Sequence, residues 1–279
     1  MAEPLLIWWS ALCAAAAANL VLWGASARRL RREAARMAPE ALARRRALLW
    51  LSAAYVLGCG FRSAFPMIDV PRSCLHDPWF ARVFVGRSVA TVAELAFAAQ
   101  WALLLGEAAA SSRAAALAAR AIVPLIAAAE AFSWSAVLSG DYLLHAAENS
   151  LWTVAAALGV AAFAALQPGS GRRARAFLAA AMLCGAAYVT FMVLVDLPMY
   201  LHRWQAQAAG DDGFRDLAEG LRSLLAPCVV RLDWASWRED VPWLTLYFTF
   251  AVWISIALAH APPLGGGGGA FARPRPDGL

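Results

Sequence analysis

Apolar residues run in seven long blocks separated by shorter polar stretches, each within the roughly 17–25 residues a helix needs to cross a bilayer. The blocks lie near residues 5–24, 47–66, 83–105, 115–139, 143–166, 176–199 and 243–261. This pattern predicts an all-α polytopic membrane protein, one bundle of seven transmembrane helices over residues 1–261. The longest connection is 201–241. Within it Phe214, Leu217, Leu221, Leu224 and Leu225 recur at helical spacing behind Asp212, a candidate cap, which predicts a short amphipathic helix at the membrane interface. Another connection, MIDVPRSCLHDPWF, is rich in proline and charge, and residues 262–279, PPLGGGGGAFARPRPDGL, read as a flexible tail.

Charge sets the expected orientation. Arg28, Arg29, Arg31, Arg32, Arg36, Arg44, Arg45 and Arg46 fall between the first two blocks, and no arginine precedes the first. Positive charge stays inside, so the N-terminus is expected outside and, after seven crossings, the C-terminus inside. Arg172, Arg173, Arg175, Arg273 and Arg275 then fall inside as well. Ala25-Ser26-Ala27 has the small residues of a signal-peptide cleavage site, but the stretch before it lacks a basic start and its apolar run is too long. A weak internal likeness links Asp69-Val70-Pro71 after the second block to Asp196-Leu197-Pro198 after the sixth, and Pro78-Trp79 to Pro242-Trp243. It suggests a 3+1+3 parallel repeat, although the first and fifth blocks match poorly.

Composition narrows the function classes. The chain is 62% apolar and 15% charged, against roughly 25% charged in soluble domains, and its 13 tryptophans suit a membrane interface. All 24 basic residues are arginine, so lysine Schiff-base chemistry, and with it a retinal opsin, is excluded. The net charge of +5 is explained by inside arginines rather than by nucleic acid, and no glycine-rich phosphate loop precedes a helix, so no nucleotide is expected. The third block ends in LLLGEAAASSR, without the acid-arginine pair of a G-protein-coupled receptor.

Charges at bilayer depth cost roughly 2.5–3.5 kcal/mol each and mark function by default. Arg87, Thr91 and Glu94 share one face of the third block, with Glu94 near mid-bilayer as the floor of a polar pocket. Arg62, Glu130, Glu148, Asn149 and Asp196 lie in the same outer half, whereas the other half is apolar apart from Gln100. The reading that follows is an outward-facing pocket where Glu94, Glu130, Glu148, Asn149 and Asp196, tuned by Arg62 and Arg87, bind or transport a small polar or cationic solute. An alternative is a lipid hydrolase with zinc on His145, Glu148, Asp196 and His202, although no HExxH-type motif is present. In a third reading the protein is a structural or assembly subunit whose ion pairs only fix helix register. Of the five cysteines, Cys74 and Cys228 fall in the two outer connections and form a candidate disulfide, with Cys59 to Cys74 as the rival pairing.

Overall fold

The computed structural model describes residues 3–210 and 214–264. Among the described residues, seven helical stretches are long and apolar enough to cross a membrane, as expected for a multi-pass membrane protein. The first is α1 (Glu3–Glu33), followed by a short turn and α2 (Pro39–Ala64). Hydropathy alone ends the first span at 24, but Ala, Arg, Leu and Glu are strong helix formers and carry it on. The arginines expected in a loop therefore stand mostly on helical extensions. Ser26, within the candidate cleavage site, is buried inside α1.

After α2 the chain folds back as a hairpin, β1 (Met67–Ile68) antiparallel to β2 (Ser73–Cys74), and then enters α3 (Val83–Gly106). Next come α4 (Arg113–Ser139) and α5 (Tyr142–Leu166), joined by a two-residue turn. Gly140 sits there at φ 75°, a left-handed conformation that favours glycine, and Asp141 caps α5 by accepting from the Leu143 amide at 2.8 Å. The sixth span begins as α6 (Arg172–Phe191), passes through a π turn at Met192–Asp196 and continues as α7 (Leu197–Ala209). The expected long connection is thus helical over its first residues, because the apolar run ends before the helix does. Here the candidate half-repeats differ, since α2 stops before its Asp-Val-Pro while the sixth span runs on through Asp-Leu-Pro.

The predicted amphipathic helix is α8 (Leu217–Leu225), capped by Asp216, whose carboxylate accepts from the Glu219 amide at 2.7 Å. The expected cap, Asp212, lies outside the described residues, as do residues 265–279 of the expected tail. α8 turns Gly220 onto the backbone of Leu138, where a Cβ would collide with the carbonyl, and buries Leu224 against Met67, Cys74 and Val137. β3 (Val229–Val230) then pairs parallel to β2, and a disulfide joins Cys74 to Cys228. The connection between α2 and α3 is therefore a fastened cap over one end of the bundle, hereafter the disulfide end. The opposite end carries Arg28–Arg46.

The seventh span is broken into α9 (Val241–Phe248) and α10 (Phe250–Leu258). The Thr245 and Thr249 hydroxyls donate back to the Val241 and Thr245 carbonyls, each at 2.6 Å, a habit that bends helices. Buried Asn19 of α1 donates to the Phe248 carbonyl at the break (3.1 Å) and accepts from Trp253 (2.8 Å). Gln100 donates to the carbonyls of Leu48 (2.9 Å) and Ser255 (3.0 Å) and accepts from the Ser255 hydroxyl (2.6 Å), tying α2, α3 and α10 together. The seventh span thus packs among α1, α2 and α3, whereas α6 has its close packing on α5.

Candidate functional site

The i, i+4, i+7 spacing of Arg87, Thr91 and Glu94 brings all three onto the inward face of α3, and Arg87 is the hub. Its Nη2 donates to Glu130 Oε2 at 2.8 Å and to Glu94 Oε2 at 3.2 Å. Its Nη1 stands 3.6 Å from Asp69 and 3.7 Å from Glu148. Four carboxylates from four parts of the chain therefore converge on one guanidinium, whose side chain is only 7% exposed. Thr91 donates to Glu130 at 2.6 Å while accepting from Trp134 at 3.0 Å, and Tyr247 donates to Glu94 Oε1 at 2.9 Å. Arg62 donates to the Met67 carbonyl at 3.1 Å and lies 3.5 Å from Asp69. His145 Nδ1 and Glu148 Oε2 are 2.8 Å apart.

The cluster is not hydrogen-bonded to completion. Among the described residues the buried Nε atoms of Arg62 and Arg87 and Oδ1 of Asp69 have no hydrogen-bond partner. Gln100, which ties helices together away from the cluster, is by contrast paired through both its amide nitrogen and its oxygen.

A cavity of about 550 Å³ runs from this cluster towards the arginine end. Asp69, Glu94, Glu148, Asp240, Arg62 and Arg87 line its polar end, together with His145 and Asn149. Four carboxylates thus face two guanidinium groups. The rest of the wall is apolar down to Leu105, Ile122 and Leu258. The Met67–Val70 stretch of the cap lines the polar end, so the disulfide end is covered rather than open.

Of the expected ligand-binding residues, Arg62, Arg87, Glu94, Glu148 and Asn149 line the cavity. Glu130 stands behind Arg87 and holds it in place. Asp196, in the π turn, is buried within electrostatic reach of Glu148, Asp240 and His145 but forms no part of the wall. Of the expected zinc ligands, His145 and Glu148 meet, whereas His202 is exposed on α7. Among the described residues the trio with metal-holding spacing is Glu94, Glu130 and Glu148, their ligand atoms within 4.8 Å of one another. Arg87 already places its positive charge among these three.

Sequence reasoning did not count Asp69, Asp240 or Tyr247 among the ligand-binding residues. Asp69 reads as loop because nothing local signals that the hairpin folds back into the bundle. Tyr247 is one aromatic residue among several in the seventh span, and nothing local to it signals a carboxylate partner. Comparison with protein-family models, curated proteins and solved structures finds no match to this chain.

Proposed function

We propose that this multi-pass membrane protein binds, and moves, a molecule whose polar group is cationic or donates hydrogen bonds. The observation that carries the reading is the excess of carboxylates over guanidinium groups at one end of a large internal cavity. A cation there would meet Glu148 and Glu94 while Arg87, clamped by Glu130, keeps the carboxylates from repelling one another. The disulfide end faces outward in this reading: arginines crowd the opposite end, and a disulfide suits an oxidising compartment. The π turn in the sixth span and the break in the seventh are the places where helices could move.

A thermal-shift series with ethylammonium, choline and putrescine tests the reading. At least one should raise the unfolding temperature of the wild type and leave Glu148→Gln unmoved. A series in which no amine acts, or in which Glu148→Gln responds as the wild type does, counts against it.

A second reading, a hydrolase acting on lipid, is favoured by the His145–Glu148 pair on the cavity wall, a potential general base. Zinc would draw on Glu148 and His145, yet exposed His202 leaves that ligand set short. Stoichiometric zinc in purified protein, with loss of lipid turnover on chelation, would move the assignment to this class.

A further inference from the structure

The cavity's covered polar end and apolar length raise the question of how a ligand reaches it. Five wall residues are themselves exposed: Ala180 and Ala187 on α6, and Leu246, Phe250 and Ala257 on the seventh span. All five flank the gap between these two helices. α6 has its close packing on α5, and what spans the gap is aromatic: Phe191 stacks on Trp243 at 6.2 Å between centroids, and Tyr188 tilts against the same ring at 6.2 Å. Between those rings and Phe177 the α6 side of the wall is made of small residues, Ala180, Ala181, Cys184 and Ala187, which leave a slot beside the seventh span. Along α3 the cavity reaches from Glu94 to Leu105, roughly 16 Å at about 1.5 Å per residue, and its lower walls include Phe177, Ile126 and Ile254.

We infer that the ligand is a lipid-like amine: an amphiphile that passes sideways from the bilayer between α6 and the seventh span, places its cationic head among Glu94, Glu148 and Asp240, and lays an alkyl chain along the apolar length. The inference rests on the proposed cation site and names the class of molecule that fills it. A small soluble cation would leave the apolar length empty. An alkyl chain leaving lipid for this cavity exchanges one apolar surrounding for another, so selectivity lies in the head and the slot sets access.

Cys184, a free cysteine on the cavity wall, provides a native reporter. With the protein in phosphatidylcholine nanodiscs, alkylation of Cys184 by N-ethylmaleimide is followed by peptide mass spectrometry. Ethylammonium and dodecylammonium serve as probes with the same head, and unfolding temperature is measured in parallel. Dodecylammonium at about ten times its Kd should slow Cys184 alkylation about tenfold by mass action. Ethylammonium should stabilise the protein yet leave Cys184 open. Ala187→Trp, on the lip of the slot, and Ala257→Trp, on the opposite lip, should each abolish protection by dodecylammonium and keep the ethylammonium shift. If ethylammonium stabilises in a Glu148-dependent way while dodecylammonium fails to protect Cys184, or protects it equally in both lip variants, the inference is overturned and the cation site stands. Protection that is equal in the wild type and Glu148→Gln but lost in both lip variants supports the slot and the tail and overturns the cation site.

Discussion

Arg87→Met removes the hub of the buried cluster while keeping a side chain of similar length. Two carboxylates, those of Glu130 and Glu94, lie at 2.8 and 3.2 Å from its Nη2, and two more, those of Asp69 and Glu148, at 3.6 and 3.7 Å from its Nη1. At an effective dielectric of about 20, unit charges about 4 Å apart interact by about 4 kcal/mol, so each close pair offsets much of the cost of desolvating its members. Removing one partner of a buried pair typically costs about 3–5 kcal/mol, because the other is left uncompensated, and contributions within one network do not add. The expected loss for Arg87→Met is therefore about 3–5 kcal/mol, read by equilibrium unfolding in detergent. Arg87→Lys should fall between the two, since an ammonium keeps the charge but cannot fork between Glu130 and Glu94. Adding Glu130→Gln to Arg87→Met should restore part of the loss, because the acid in closest contact is then neutral. An Arg87→Met protein within about 0.5 kcal/mol of the wild type would refute the view that the guanidinium organises these carboxylates.

Gln100→Leu should cost about 1–3 kcal/mol in the same assay, because the carbonyls of Leu48 and Ser255 lose their donor in the interior. His260 sits just beyond the seventh span, 2.7 Å from the Ser26 hydroxyl, and burial, followed by nearby Arg29, holds its imidazole below the usual range. The unfolded chain then binds that proton more readily, so stability should fall as pH drops through the ordinary histidine range, about 6.5, towards the lowered folded value; His260→Gln should flatten the slope of unfolding temperature against pH. Non-reducing peptide mapping should recover Cys74 joined to Cys228, and impermeant biotinylation should reach a tag before α1 but not one after Leu279.

The seven spans were legible because about twenty consecutive apolar residues have few other uses. Their ends were not: α1 and the sixth span run on through polar residues that favour helix, and hydropathy falls where helicity does not. Within the site, Arg87 and Glu94 were readable because seven residues return a helix to nearly the same face, and Glu148 because charge at depth is costly. Asp69 and Asp240 flank spans in the sequence, and only the folded-back hairpin and the start of α9 bring them to the cavity. The slot was equally hidden, since it depends on which neighbour α6 lacks, a property of the packing that no local pattern encodes. The polar residues of the seventh span divided the same way: Ser255 serves structure, whereas Tyr247 serves the cluster.

Native mass spectrometry of the protein ejected directly from its membrane tests most directly whether the cavity is a binding site. The wild type should carry one stoichiometric small-molecule adduct, and the Glu94→Gln, Glu148→Gln double variant should fold and lose it. A wild type without an adduct, or a double variant that retains the same adduct at the same occupancy, would contradict the account.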